Sequence, residues 1–215
     1  MKTKTKALGL VMAAVLLVTA TIFGTMAYLT STDEVVNTFT VGSVAIKLDE
    51  ADVKLDGTYE TNHDSRVEAN DYKLMPGHTY IKDPTVTVKQ GSESSYVRML
   101  VTISNASELK EVFGANFLPE NYVEGWDSAT WIASGITENT TDNTITYEFR
   151  YKETVAAPTA DVVLDDLFES FTVPGTVDND QLAKLSNMTI TVVAHAIQAD
   201  GFADANAAWT AFATK

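Results

Sequence analysis

The sequence predicts an all-β fold with a few short helices, arranged as an antiparallel sandwich or barrel. Several short segments alternate between apolar and polar residues, as half-buried strands do, and turn signals separate them. Few segments carry a helical period, so the crossover helices that a parallel sheet needs are missing. The chain of 215 residues shows no internal repeat, which leaves room for one medium-sized domain.

The N-terminal residues 1–27 are expected to be an export signal that forms a helix and is then removed. A lysine-rich start precedes an apolar run from Ala7 to Phe23, and small residues lie at Thr25 and Ala27. This pattern is typical of a signal peptide that is cut between Ala27 and Tyr28. A retained transmembrane anchor is the alternative, but the run is shorter than the roughly 20 residues that span a bilayer. We therefore expect a secreted chain, without a membrane attachment after cleavage.

Composition limits the partners. Acidic residues outnumber basic ones 29 to 15, which gives a net charge of −14. Such a surface repels nucleic acid and anionic lipid headgroups, and it favours solubility and cationic partners. The chain has no cysteine, so disulfides, which often stabilise small secreted domains, cannot contribute to its stability.

Two strands are predicted at the start of the exported chain. One alternating segment runs from Val35 to Val41 and a second from Val44 to Leu48, and the parity of their apolar residues changes at Gly42-Ser43. A shift of one residue sends side chains to the opposite face unless a bulge or break absorbs it, which glycine permits. The first strand is therefore separable from the second, and the domain proper is expected to span residues 42–215.

The next predicted strands lie on either side of a break at Gln90-Gly91-Ser92. They cover Pro84 to Val88 and Tyr96 to Ser104. The polar residues 49–72 are expected to form a loop or a ragged hairpin, which a turn at Leu74-Met75-Pro76-Gly77 ends. The residues of the longer strand that should face the core are Val97, Met99, Val101 and Ile103.

Two further strands are predicted in the second half of the domain. The clearest alternation lies at Thr144 to Lys152, as expected of a sheet with one face in water. Its apolar face consists of Ile145, Tyr147, Phe149 and Tyr151. The segment from Met188 to Ile197 is β-branched on both faces, which predicts a central strand that is covered on both sides.

Short helices are predicted in three places. One lies near Ser107 to Phe113, one begins at a cap formed by Asp178 or Asn179, and one covers the alanine-rich tail from Asp204 to Phe212. Leu164 to Val173 fits either a short helix or a turn that leads into a strand.

Two tryptophans, Trp126 and Trp131, lie in the least regular part of the sequence, among glycine, proline and asparagine. If exposed, they would form a patch that binds carbohydrate or protein. The alternative is that they close one end of the core, which is the commoner place for residues of this size.

The sequence carries no catalytic or metal-binding pattern. The three histidines, His63, His78 and His195, lie in different segments, whereas a zinc site needs three or four converging ligands. No HExxH helix, GxSxG elbow or phosphate-binding glycine loop is present. Acidic pairs such as Asp165 and Glu169 are expected to be ordinary solvated residues. We therefore predict a protein that is not an enzyme and that uses no cofactor or metal.

Motifs at both ends of the chain resemble the TasA/camelysin family of exported biofilm-matrix proteins. Members show a GTxAxF-like junction, which a SipW-type signal peptidase cuts, followed by an NTFxxG-like strand end. The matching stretches here are Gly24-Thr25-Met26-Ala27-Tyr28-Leu29-Thr30, Asn37-Thr38-Phe39-Thr40-Val41-Gly42, the Leu74-x-Pro76-Gly77 turn, and the late segment Ala194 to Ala199 with Gly201-Phe202 and Trp209 behind it. Leu29 departs from the pattern, because an aromatic residue is common there, and residues 105–161 show hardly any resemblance.

The resemblance implies a jelly-roll-like β-sandwich that serves as a structural subunit of the cell surface or biofilm matrix. For TasA it implies filaments formed by donor-strand exchange, in which the segment after the signal peptide completes a sheet of the next subunit. Here residues 28–41 form that candidate segment, and residues 28–40 lack proline and glycine. The side chains expected to enter an apolar groove are Leu29, Val35, Phe39 and Val41. The segment would otherwise be a disordered tail or an edge strand of its own domain.

Two other functions stay open. A monomeric surface adhesin would use Trp126 and Trp131 as its contact. A metallopeptidase is the more distant alternative, because some camelysin relatives have been described as such, although the scarcity of histidine disfavours it.

Overall fold

A computed structural model describes residues 41–61, 63–115 and 117–214, together with Met12. The chain divides into two compact units, Met1–Thr40 and Val41–Lys215, and the second contains the predicted domain. Apart from Met12, the predicted signal peptide lies outside the described residues, as do its cleavage site at Ala27 and Tyr28 and the candidate donor residues Leu29, Val35 and Phe39. Those predictions therefore stay predictions.

The described part of the domain consists mainly of short strands. They are β1 (Ile46–Ala51), β2 (Arg66–Val67), β3 (Thr79–Ile81), β4 (Thr85–Val88), β5 (Ser95–Ser104), β6 (Val123–Glu124), β7 (Trp131–Asn139), β8 (Thr144–Tyr151), β9 (Val162–Val163), β10 (Ser170–Thr172) and β11 (Ile190–Gln198). The helices are α1 (Ala106–Phe113), α2 (Asn179–Lys184) and α3 (Ala205–Ala213), and a 3₁₀ turn covers Pro119–Asn121.

These strands form three sheets in which the described pairs are antiparallel. One sheet has the order β2-β1-β4-β9, the second β11-β5-β8-β7, and a smaller one β3-β10-β6. The predicted class, all-β with a few short helices in antiparallel sheets, is confirmed. The jelly-roll connectivity stays a prediction.

The two four-stranded sheets share one hydrophobic core. The strand β5 alternates between buried and half-buried residues along its whole length, as the sequence predicts, and its inward residues meet those of β4 and β8. Burial of alternate side chains removes apolar surface from water on one face of each sheet, which is the main stabilising contribution. The principal core residues on these strands are Val86, Val88, Val97, Met99, Val101, Ile103, Ile145, Tyr147 and Phe149.

Most element predictions agree with the structure to within a few residues. The strand expected at Val44 to Leu48 begins at Ile46 and continues to Ala51. Residues 49–72 form a ragged hairpin, because their short strand β2 pairs with the end of β1. Leu164 to Val173 is a turn that leads into a strand, and it contains β10 rather than a helix.

The prediction of a central strand at Met188 to Ile197 is wrong. The strand β11 lies at the edge of its sheet and pairs only with β5 among the described strands. Its apolar residues on both faces have another cause: one face packs on the core, and α3 packs against the strand, where Phe212 meets His195 on the other face. Apolar residues on both faces of a strand therefore indicate that other elements pack against both faces. They do not indicate how many strands pair with it.

Candidate strand-acceptor groove

The outer edge of β11 has backbone groups with no strand to pair with in the described part of the chain. Ser104 N–H donates to Thr189 O at 3.0 Å, and Ala199 N–H donates to Ser94 O at 2.7 Å. Because antiparallel pairs alternate along a strand, every second residue between these bonds faces β5, and the others direct their N–H and C=O groups outward. The outward residues of β11 are Ile190, Val192, Ala194, Ala196 and Gln198.

The strand β1 has an open edge of the same kind. Lys89 N–H donates to Ala45 O at 2.9 Å, so the alternation assigns Lys47 and Asp49 to the bonds with β4. The backbone groups of Ile46 and Leu48 then face away from β4. The short strand β2 covers this side of β1 only at Glu50 and Ala51.

The side chains at both open edges belong to the rim of the core. Residues whose backbone faces outward also direct their side chains inward, and they are only partly buried although they pack on the core. These side chains are Ile46 and Leu48 on β1, and Ile190, Val192, Ala194 and Ala196 on β11. The core is therefore less well covered between β1 and β11 than it is beneath β5 or β8.

A groove of about 1020 Å³ lies at this place. Its walls include residues 48–50 of β1, residues 190–192 of β11 and the two residues before that strand, and residues 68–72 and 185–187 extend them. The groove thus lies where β1 ends and β11 begins. The chain enters the domain at the opposite end of β1, where Ser43 O accepts a hydrogen bond from Glu93 N–H.

One wall of the groove is fixed by an ionic network. Arg66 Nε donates to Asp49 Oδ1 at 2.9 Å, and the same guanidinium forms an ion pair with Asp83. Burial opposes ionisation of Asp49, but hydrogen bonds from Lys47 and Arg66 outweigh it and lower the pKa of Asp49. Burial, together with the charges of Glu50 and Asp83, raises the pKa of Tyr72. The network attaches β2 and its loop to β1 and to the start of β4.

Other sheet edges are less suited to accept a strand. The edge strand β7 is exposed over nearly its whole length and contains a bulge between Ala133 and Gly135. Bulges of this kind disrupt the ladder and protect an edge from pairing. The strands β2 and β9 have only two residues each. By contrast, β11 has nine residues and contains no proline, glycine, lysine or acidic residue.

Val41 is the one candidate donor residue that the structure describes. It lies outside the strands and is 97% exposed, so its side chain has no place in the core of its own domain.

The two tryptophans lie in and against the core. Trp131 has no exposed surface, and its indole N–H donates to Asp165 O at 3.0 Å. Trp126 is partly buried and donates to Trp131 O at 2.9 Å, and it lines an apolar cavity of about 80 Å³. In this conformation Trp131 cannot touch a ligand, and the adhesin hypothesis would depend on Trp126 alone.

The histidines lie in three different places. His63 stacks on Tyr59, His78 Nε2 lies 2.7 Å from Asp56 O, and His195 Nδ1 accepts from Arg98. Among the residues that the structure describes, no three His, Asp or Glu side chains form a group that could hold a metal ion. Within the same residues, no helix has the length and apolarity to cross a bilayer.

The edge position of β11, on which the candidate acceptor groove depends, was not predicted from the sequence. A signal was present, because residues 190–198 form an apolar stretch without a charge or a strand breaker, but the interpretation as a central strand concealed it. Comparison of the chain with family models, with curated proteins and with solved structures gives no match.

Proposed function

We propose that this chain is a secreted, non-enzymatic structural subunit of the cell surface or biofilm matrix, of the TasA/camelysin type. A SipW-type signal peptidase would release it at Tyr28. Subunits would then join when residues 28–41 of one copy add as a strand to β11 of the next. The observation that carries this proposal is the groove beside the end of β1 and the start of β11, with its unpaired strand edges and partly covered core.

Strand addition suits both partners chemically. The outward N–H and C=O groups of β11 would bond to the backbone of the donor, and alternate donor side chains would fill the groove. Leu29, Val35, Phe39 and Val41 share one parity, so they lie on the same face of an extended segment. Each large apolar side chain that becomes fully buried contributes about 1.5–3 kcal/mol.

The length and polarity of the chain support assembly into a filament. Residues 28–41, at about 3.3 Å per residue when extended, outreach the nine-residue β11. The donor segment joins the domain at the end of β1 that is opposite to the groove. A contact between unlike surfaces is heterologous, and it propagates into a fibre when the rotation between successive subunits does not close a ring.

The test compares the chain that begins at Tyr28 with one that begins at Val41. Light scattering and electron microscopy should show filaments for the longer chain and monomers for the shorter one. A further variant carries serine at Leu29, Val35 and Phe39 and should stay monomeric. Its matched control carries serine at the threonines of the opposite face, Thr30, Thr32 and Thr38, and should assemble normally.

Two results would refute the proposal. The first is a longer chain that stays monomeric for days at high concentration. The second is a shorter chain that assembles as well as the longer one, because the donor would then be dispensable.

A further inference from the structure

A buried lysine, a buried glutamate and a partly buried asparagine meet in the wall of the groove. Lys82 and Glu50 are 6% and 7% exposed, and Lys82 Nζ lies 2.5 Å from Glu50 Oε2. The other oxygen of that carboxylate, Oε1, accepts from Asn70 Nδ2 at 2.9 Å. One carboxylate therefore touches both an amine and a carboxamide.

The carboxamide of Asn70 is fixed by the backbone of β1 and the residues after it. Its Oδ1 accepts from Val53 N–H at 3.0 Å, and its Nδ2 also donates to Ala51 O at 2.8 Å. These partners set the orientation of the amide, because a backbone N–H only donates and a carbonyl only accepts. The Val53 N–H is placed to stabilise negative charge that develops on Oδ1.

One side of this group faces an aromatic ring that belongs to a small aromatic cluster. Lys82 Nζ lies 5.9 Å from the centre of the Tyr72 ring. Tyr72 packs edge-on against Tyr80 and Phe171, and Tyr80 has no exposed surface. An ion pair is costly to bury, and Glu50 Oε2 lies close enough to Nζ to take a proton from it during the reaction. The neutral amine that results is a nucleophile.

We propose that Lys82 and Asn70 join in an intramolecular isopeptide bond, with Glu50 as the proton shuttle. Glu50 takes a proton from Nζ, and the amine attacks Cγ of Asn70 to form a C–N bond. The tetrahedral intermediate places its negative charge on Oδ1, next to Val53 N–H. Glu50 then gives that proton to Nδ2, the Cγ–Nδ2 bond breaks, and ammonia leaves. Nζ still carries two hydrogens at this point, so the regenerated carboxylate of Glu50 takes the second one, which leaves a neutral amide, and passes it on to the departing ammonia or to water. No oxidant or other reactant is needed.

The bond would replace the disulfides that this cysteine-free chain cannot form. It would connect the loop after β2 to the residue that follows β3, and so hold the wall of the groove by a covalent link. A cross-link of this kind stabilises mainly by restricting the unfolded chain. The bond forms within one subunit, so it does not depend on whether subunits assemble.

The test is a tryptic digest of the purified exported chain, analysed by mass spectrometry. The isopeptide bond removes the cleavage site after Lys82, so peptide 67–73 should appear joined to peptide 74–89, lighter than their sum by one ammonia. Fragmentation should place the link between Asn70 and Lys82. Unlinked peptides 67–73, 74–82 and 83–89 from the folded wild-type chain would overturn the proposal and leave an ordinary buried ion pair.

Variants separate the roles of the three residues. Glu50→Gln keeps the size of the side chain but cannot shuttle the proton, so it should yield unlinked peptides. Lys82→Arg should do the same. The matched control is Lys89→Arg, because Lys89 forms an exposed ion pair with Asp161; its digest should still contain residue 82 linked to residue 70. A link that persists in Glu50→Gln would contradict the role given to Glu50.

Discussion

Gly57 lies where any side chain would meet the backbone of Tyr80. Its φ is +78°, and a Cβ atom built there would lie 2.7 Å from Tyr80 Cα. The left-handed conformation alone costs a non-glycine residue about 1–2 kcal/mol, and the collision with a rigid neighbour adds about 1–3 kcal/mol. We expect Gly57→Ala to lower the free energy of unfolding by the sum of the conformational cost and the steric cost, as measured by denaturant titration.

Gly91 is the matched control for this prediction. It has a similar φ of +80°, but nothing lies within 4 Å of the Cβ position. Gly91→Ala should therefore show the conformational cost alone. Equal losses in the two variants would mean that the contact with Tyr80 relaxes without cost.

His195 connects the edge strand β11 to its neighbours. Its Nδ1 accepts from Arg98 Nε at 3.2 Å, and its ring packs against Phe212 of α3. The guanidinium of Arg98 lies over the rings of Trp209 and Phe212. Burial, and then the charge of Arg98, lower the pKa of His195 below its ordinary 6.5, while Glu148 opposes the shift.

This shift predicts a dependence of stability on pH. Because the folded state binds the proton less readily than the unfolded state, the contribution of His195 is fully present above about pH 6.5 and is lost as the pH falls below it. In His195→Gln the free energy of unfolding should fall less between about pH 7.5 and pH 5 than in the wild type. A wild-type slope in His195→Gln would contradict the prediction.

At the scale of elements, α2 depends on its N-terminal cap. Asp178 accepts from Gln181 N–H at 2.8 Å, and the Gln181 side chain accepts from Asp178 N–H at 2.9 Å, which forms a capping box. Asp178→Ala should lower the free energy of unfolding by about 1 kcal/mol. Asp178→Asn keeps an acceptor oxygen and should stay close to wild type in the same thermal or chemical unfolding experiment. If both variants behave alike, the cap contributes nothing measurable.

The elements that the sequence predicts well are those whose cause is local. The period of two in β5 and β8, and the cap before α2, can be read from neighbouring residues. The position of β11 at a sheet edge cannot be read in this way. The core packs on one face of the strand and α3 packs against the other, so apolar residues on both faces do not show how many strands pair with it. The sites are harder still. Glu50 lies far in sequence from both Asn70 and Lys82, and only the pairing of β1 with β2 and the place of β3 bring the three together.

At the scale of the whole molecule, strands and helices cover the hydrophobic core except at one place, where the side chains that pack on it are only partly buried. The two four-stranded sheets approach each other at β1 and β11, and α3 packs against part of the outer face of β11, where Val193 stays exposed. The groove beside the end of β1 and the start of β11 is where partly buried apolar side chains and unpaired backbone groups coincide, next to the carboxylates of Asp49, Glu50, Glu68 and Asp71. A domain with that groove gains stability when a strand fills it, so assembly and folding stability should be linked.

The proposed assembly needs a donor segment and an acceptor edge, and each can be removed without the other. A chain that begins at Val41 keeps the groove but has no donor. Ala194→Pro keeps the donor but removes an outward N–H of β11 and leaves the bonds to β5 intact, as proline at an edge position should. Each variant alone should be monomeric. Mixed in equal amounts, they should form heterodimers and no filaments, because the dimer has neither a free donor nor a free acceptor edge. Sedimentation velocity distinguishes monomer, dimer and polymer.

The matched control for the acceptor variant is Val163→Pro on β9, an edge strand of the other four-stranded sheet. Leu164 N–H donates to Val86 O, so the alternation turns the N–H of Val163 away from β4. This substitution removes an equivalent outward group far from the groove, and the variant should polymerise like wild type. If Ala194→Pro forms filaments on its own, β11 is not the strand that accepts the donor. A mixture that stays monomeric would mean that the donor segment and β11 do not bind each other, since both partners are intact in it.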